Sequence, residues 1–400
     1  MKILYRRCAA LDVHKKSLCA CVRQSVQGDV QVAKQTFGTC TDELERLGEW
    51  LRGHKVRRVA MESTGVYWMP VWNVLEQSRY DLDLLLVNPV IVKALPGHKT
   101  DPKDAARIAE LHQYGLLRGS FMPPKEIRRL RDLVRARTHC QQDKNRVINR
   151  RAGLLERANV KLGAVASNIV GMSGRRILYA MLEGEHNPAR LASLAVGSLQ
   201  NKEAELIRAL RGRFNDHFRF QLGLLLEDLR YYEKRIDRLE SRIRDELAAH
   251  TDLIRRLCTI PGVDEITAWV ILSEIGLDMS VFPTADHLAS WAGLCPGKDE
   301  SAGKRRSGRV RKGNRYLRRT LVQNAWAVSH SEGCFLTSLF FRVASRRGLK
   351  RAALAVAHRI LIIAYHILRD GGEYRELGGN YHDRLHPLRT AKRLVRRLDH

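Results

Sequence analysis

Apolar residues in the first third of the chain come in short runs broken by polar ones. "CAALDV", "SLCACVR" and "DVQVAKQTF" fall between residues 7 and 37, with Gly28 and Asp29 forming a hairpin-turn dipeptide between two of them. The pattern predicts a three-strand meander. A helix over about 41–53 follows, with Thr41 placed to cap it and Leu44, Leu47 and Leu51 as its stripe. "VRRVAME" (56–62) reads as a strand ending at Glu62, and "TGVYWMPVWNVLEQS" (64–78) as helical in period despite Pro70. "LDLLLVNP" (82–89) is a continuous apolar run closed by proline, as in a buried central strand. The next helix opens in "HKTDPKDA" (98–105), because Pro102 is tolerated in a first turn. The order β-β-β-α-β-α-β-α is that of a mixed sheet covered by helices.

The character changes near residue 125, where "KEIRRLRDLVRARTHCQQDKNRVINRRAGLLERA" is long, basic and helical in period. Leu222, Leu225, Leu229, Tyr232, Ile236, Leu239, Ile243 and Glu246 or Leu247 then recur at coiled-coil spacing, flanked by Glu233, Arg235, Asp237 and Arg238. Such a stripe suits either one arm of an antiparallel helical pair within the chain or a self-association surface. "CTIPGVDEITAWVILSEIG" (258–276) has the pattern of a helix–hairpin–helix, whose second helix N-terminus can hold a phosphate. The segment 295–319 opens with glycine and proline, is dense in lysine and arginine, and ends in a helix from about 314. These shifts divide the chain into 1–124, 125–250, 251–375 and a basic, loosely held tail at 376–400. "AALAVAHRILIIAYHIL" (352–368) contains His358 and Arg359 and reads as a buried helix rather than a bilayer span.

Charge narrows the partners. Over 400 residues the formal net charge is +27, which points to polyanions, above all nucleic acid. No signal-peptide or lipidation pattern opens the sequence, so a soluble cytoplasmic protein is expected, with no membrane partner. The eight cysteines are scattered and include no CxxC, so they read as small apolar residues in a reducing compartment.

Four acids stand out by position. Asp12 sits inside the first strand, Glu62 ends the fourth, and Asp101 and Asp104 lie three apart on one helix face. Bland explanations exist for each: Asp12 pairing with Lys15 or Lys16, Glu62 capping a helix, Asp101 and Asp104 in a first turn beside Lys99 and Lys103. Together they suggest more, since neighbouring first and fourth strands would let the carboxylates converge. Clustered hard oxygen ligands suit Mg²⁺ or Mn²⁺, which support phosphoryl transfer. In the basic segment, Lys304, Arg305, Arg306, Arg309, Arg311, Lys312, Arg315, Arg318 and Arg319 are candidate phosphate contacts. Ser301 lies among them in "ESAGK", with no good base nearby to activate it. On composition alone Ser307 and Ser63 are comparable nucleophile candidates.

Asp12 in "LDVHK", Glu62 in "MESTGVYW", the "KTDPKDA" pair, "IPGV" and "GLCPGKDESAGKRRSGRVRKGNRYLRR" resemble the DEDD insertion-sequence transposases. The resemblance runs over roughly 5–375 and stops before the tail. It implies an α/β fold: an RNase H/RuvC-like mixed sheet with flanking helices, a coiled-coil insert and a mostly α-helical C-terminal domain. It also implies that Asp12, Glu62, Asp101 and Asp104 bind the metal, and that Ser301 attacks a DNA phosphate to form a covalent phosphoserine. Ser307 is the fallback nucleophile. The further implications are a noncoding bridge RNA that pairs with donor and target DNA, and a homodimer or tetramer. RNA guidance agrees with charge spread over a large surface and no recognition helix, and phosphoserine chemistry with the lack of a GxxxxGK[ST] loop. The alternatives are a metal-dependent junction resolvase that uses water, and a non-catalytic nucleic-acid-binding protein.

Overall fold

Cys8, Ala9, Ala10 and Leu11 have no exposed surface, which makes β1 (Arg7–Val13) a central strand. In a computed structural model of the chain, residues 3–26, 28–63, 65–89, 104–296, 299–301, 304–307, 310, 312–385 and 387–388 are described. They divide into two units, 1–122 and 123–400.

In the first unit β2 (Ser17–Val26) and β3 (Asp29–Gly38) run antiparallel from β1 as the expected meander. Gly28 takes a φ of 98°, open to glycine and strained for other residues. After α1 (Thr41–Gly53), β4 (Arg58–Glu62) pairs in parallel with β1. After α2 (Trp68–Leu75), β5 (Asp83–Val87) pairs in parallel with β4. The sheet order is β3-β2-β1-β4-β5. The fold is therefore the expected mixed α/β one.

Leu44, Leu47, Leu51, Val71 and Leu75 bring α1 and α2 onto one sheet face, against Leu11, Leu18 and Met61. The other face holds α3 (Asp104–Gln113) through Ala105, Ile108 and Ala109 against Ala10, Cys21, Ala60 and Val87. Small residues on both sides let this helix lie close to the strands. Thr41 does not cap α1. Cys40 occupies the cap position without a side-chain bond, and the Gly38 N–H donates to the Glu43 carboxylate at 3.2 Å.

In the second unit the elements are α4 (Lys125–Arg157), α5 (Leu162–Val165), α6 (Met172–Leu182), α7 (Pro188–Ser193), α8 (Glu203–Ala209), α9 (Asp216–Glu246), α10 (Thr251–Cys258), α11 (Glu265–Ile275) and α12 (Ala285–Trp291). A hairpin of β6 (Asp299–Ser301) and β7 (Lys304–Ser307) follows, then α13 (Arg315–Val328), α14 (Phe335–Arg347), α15 (Leu349–Asp370) and α16 (Tyr381–Leu385).

The coiled-coil stripe meets its partner inside the chain. Arg137 pairs with Glu240 at 2.7 Å, Lys144 with Glu233 at 3.0 Å, and Arg157 donates to Gln221 at 3.2 Å. Rising numbers on α4 meet falling numbers on α9, so the helices are antiparallel. Leu222, Leu229, Ile236 and Ile243 are buried at seven-residue spacing along this seam. The stripe's reading as a self-association surface is corrected accordingly, since α4 covers it. At the far end α5 to α8 close a small core with Leu154, Leu155, Leu222 and Leu226.

The "IPGV" turn joins α10 to α11. Gly262 has a φ of 80°, and a Cβ there would meet Val328 Cγ2 at 2.3 Å. The phosphate grip expected at the α11 N-terminus is not what the structure supports. Asp264 already caps it, accepting from the Thr267 N–H at 2.8 Å, and a negative side chain there repels a phosphate. By length and composition α15 could cross a membrane, but Val356, Ala357, Ile360, Leu361 and Ala364 are buried within the unit as a core helix. The start of the tail is tied down rather than loose. Glu376 accepts from the Phe335 N–H at 2.8 Å, and Tyr381 meets the Phe335 ring edge-on at 5.2 Å. Residues 389–400 lie outside the described residues.

Burial holds His112 of α3 neutral, pulling its pKa down from 6.5 to about 4. The unfolded chain therefore binds this proton first as pH falls. The first unit is expected to lose stability between about pH 6.5 and 4, by up to about 1.4 kcal/mol per pH unit from this residue. Denaturant melts of the chain and of His112→Leu across that range check this; equal pH slopes would place the effect elsewhere.

Candidate active site

Strand alternation decides which face each acid occupies. Leu11 pairs with Met61 across β1 and β4, so Asp12 and Glu62 take the next position on each strand. Both follow the alternation of Ala10 and Ala60, which lie on the face covered by α3. The direction of α3 then matters. The Leu4 and Tyr5 N–H groups donate to Gln113 O at 3.0 and 3.1 Å, and the Cys8 thiol donates to Ala109 O at 3.5 Å. The helix thus runs antiparallel to β1, and its first residue, the exposed Asp104, lies toward the end of the strand that carries Asp12. Asp12, Glu62 and Asp104 share one face and one end of the sheet.

Asp12 is mostly covered, with 22% of its side chain exposed. Its carboxylate meets His14 Nε2 at 3.2 Å rather than Lys15 or Lys16. Sequence reasoning passed over His14, although the motif "LDVHK" contains it. Across the ladder, Asp12 faces Cys19, whose thiol is pushed up by burial and further by the Asp12 charge. Asp101 lies outside the described residues. Among the described residues, no group of three or more histidine, cysteine, aspartate or glutamate side chains stands close enough to hold a metal ion. The donor set that is present, two strand carboxylates and one at a helix start, is hard oxygen chemistry suited to Mg²⁺ or Mn²⁺.

In the second unit Ser301 is the last residue of β6 and pairs with Lys304, the first of β7. The serine stands at the turn end of a short basic hairpin, with a register irregularity at Asp299 and Glu300. Lys304, Arg305 and Arg306 occupy successive β7 positions, while Arg309 and Arg311 lie outside the described residues. Lys312, Arg315 and Arg319 are exposed and Arg318 is half-buried. Arg315, Arg318 and Arg319 share one face of α13, opposite the buried Leu317 and Leu321. Ser63 directly follows β4 in the first unit, its N–H bonded to Val87 O at 2.9 Å.

The hairpin is anchored by a network that the sequence reading missed. Gly313 passes so close to the chain at Ala292 and Gly293 that a Cβ would meet Gly293 N at 2.3 Å. Asn314 caps α13, accepting from the N–H groups of Tyr316 and Leu317 at 3.1 Å each. Its amide donates to the carboxylate of Glu274 at 2.6 Å. Glu274 is wholly buried in α11 and also accepts two bonds from Arg135, at 2.7 and 2.8 Å. Arg131 donates to the carbonyls of Ser273 and Glu274 at 3.0 and 2.8 Å. Burial pulls Arg131 down to about 10, against the Glu274 charge. Arg135, also desolvated, is held above its ordinary value by its bonds to Glu274. Its guanidinium lies 4.5 Å over the Tyr316 ring. A signal existed: Glu274 is a charge inside the apolar run "ITAWVILSEIG".

Two family matches bracket these features. A model of DEDD transposases of the IS110 type, described as "Transposase", matches residues 9–160. One described as "Transposase IS116/IS110/IS902 family" matches 254–337. The chain is similar to the insertion element IS110 uncharacterized 43.6 kDa protein of Streptomyces coelicolor, 36% identical over 34% of this chain and 33% of that protein. It is similar to putative transposase y4pF/y4sB of Sinorhizobium fredii, 31% identical over 31% of this chain and 33% of the relative. The pilin gene-inverting protein of Moraxella bovis is 29% identical over 36% of this chain and 46% of its own length. The aligned stretch thus spans about a third to a half of these relatives.

Glu274→Leu leaves Arg131 and Arg135 without their counter-charge in a dry site and frees Asn314. The expected cost is about 3–5 kcal/mol, read as a lower melting midpoint for the second unit. A variant that melts with the parent would show that the network does not hold the hairpin root.

Proposed function

We infer the function of this chain from one premise, that it belongs to the IS116/IS110/IS902 family of insertion-element transposases. We propose that it is an RNA-guided DNA recombinase that excises and integrates its element through a covalent phosphoserine. The observation that carries this reading is the β1–β4 register, which sets Asp12 beside Glu62 on the face where α3 begins at Asp104.

Asp12, Glu62 and Asp104, completed by Asp101, would hold Mg²⁺ or Mn²⁺. Such an ion supplies Lewis-acid stabilisation of the charge that develops on the phosphate oxygens. Ser301 Oγ gives up its proton and forms a bond to phosphorus as a strand P–O bond breaks, leaving a free hydroxyl. After strand exchange a DNA hydroxyl attacks the phosphoserine, restores the phosphodiester and releases Ser301. The number of P–O bonds is unchanged, so no nucleotide is consumed. The name of the Moraxella bovis relative supports this chemistry, because a gene inversion ends with rejoined strands. Lys304, Arg305, Arg306, Arg309, Arg311, Lys312, Arg315, Arg318 and Arg319 neutralise phosphates around the serine, and the net charge of +27 suits a large RNA–DNA assembly. Sequence reading is left to the RNA, which agrees with the absence of an evident recognition helix. The working assembly is a homodimer or tetramer in which the serine hairpin of one protomer meets the acids of another.

A denaturing gel tests the reading. The chain is mixed with Mg²⁺, the noncoding RNA flanking its element and labelled DNA spanning the element junction, beside Ser301→Ala and Asp12→Asn. The parent should give a slow, protease-sensitive adduct; Ser301→Ala should give none, and Asp12→Asn neither adduct nor cleavage. Cleaved DNA without an adduct in any lane would assign the reaction to water and remove Ser301 from it.

A further inference from the structure

On α9, Lys234, Arg238 and Arg242 follow one another at four-residue spacing, on the side turned away from the buried Ile236 and Ile243. Their stems, with Tyr231, Arg235, Leu239 and Leu133 of α4, enclose an open groove of about 570 Å³. Tyr231 is 54% exposed. Arg235 donates to its hydroxyl at 2.7 Å, with the guanidinium 5.9 Å from the ring centre. Arg242 shares its charge with Glu246 at 2.7 Å. Lys234 and Arg238 have no ion pair among the described residues. The acids of the seam, Glu233 and Glu240, are already engaged by Lys144, Arg175 and Arg137.

We infer that this groove binds single-stranded nucleic acid, with the α9 cations on the phosphates and a base stacked on Tyr231. An exposed aromatic beside a row of cations is the combination that holds unpaired strands, because every base has a π-face and every nucleotide a charge. From Tyr231 to Arg242 the helix covers about 16 Å, at 1.5 Å per residue. That is about five nucleotides at the 3.4 Å per-strand spacing of a stacked strand. A second copy of the same face is a poor occupant, since it would set these cations against their equals. The groove takes no part in strand cleavage, so its binding is independent of the acids and of Ser301.

The test is fluorescence anisotropy of the full chain with a labelled RNA 12-mer, a DNA 12-mer of the same sequence and a DNA duplex, over a salt series. Lys234→Gln, Arg238→Gln and Arg242→Gln combined should reduce the salt slope for single strands by about 2, at roughly 0.7 per lost phosphate contact. Tyr231→Leu should weaken single-strand binding about tenfold, with the slope and duplex binding unchanged. The RNA and DNA arms decide which strand the groove prefers. Unchanged slope and affinity in both groove variants would overturn the inference, as would a change confined to the duplex. A halved mass in solution with unchanged binding would also overturn it and make the face a contact between copies. Circular dichroism matching the parent keeps each outcome interpretable, because the substituted α9 side chains are exposed.

Discussion

The second unit is organised around a carboxylate with no access to water. Glu274 sits in a helix whose other side chains are almost all buried, where an unpaired charge costs several kcal/mol. Arg135 and Arg131 meet that cost from α4, and Asn314 meets it from the residue before α13. One buried group therefore fixes three helices relative to each other. Asn314 also lies between the Ser301 hairpin and α13, so the same group fixes where the chain enters α13. A hydrophobic replacement of the whole network could be equally stable. It would lack the directional bonds that fix the start of α13.

The long α4–α9 pair shows the same economy of charge. Leu222, Leu229, Ile236 and Ile243 repeat at seven-residue spacing, but two intervening seam positions are Glu233 and Glu240 rather than apolar residues. Each meets a cation of α4, and Glu233 also takes Arg175 of α6. With these acids engaged on the inside, Lys234 and Arg238 on the outward side of α9 have no ion pair among the described residues. The exposed cations of this helix thus stand on the surface, where a polyanion can reach them.

In the first unit geometry comes from the small residues. Ala10 and Ala60 beneath Ala105 and Ala109 let α3 lie close to β1 and β4. The antiparallel course of the helix brings Asp104 to the end that carries Asp12 and Glu62. The acids need no covalent or sequential proximity, because a parallel ladder and a reversed helix suffice.

The sequence by itself determined the elements and much of their order. The meander, the strands at 56–62 and 82–89 and the long basic helix follow from period and turn chemistry, which are local, whereas the β6–β7 hairpin and the edge position of β5 did not. Asp12 and Glu62 were legible as odd residues, a charge within a strand and another at a strand end. Only the tertiary structure decided that they are neighbours, because register is a pairing between distant segments. It alone decided that the 222–247 stripe is covered by α4 of the same chain, since a heptad pattern carries no information on which helix fills it. Thr41 failed as a cap for a related reason: capping depends on the backbone angle at one residue, and Cys40 took that position. Asp264 closed the α11 terminus that looked open to phosphate. Glu274, a charge inside an apolar run, was passed over, and its partners lie 139 residues upstream and 40 downstream. Local propensity is written in neighbouring residues. The pairing of buried charges is settled only when the chain has closed around them.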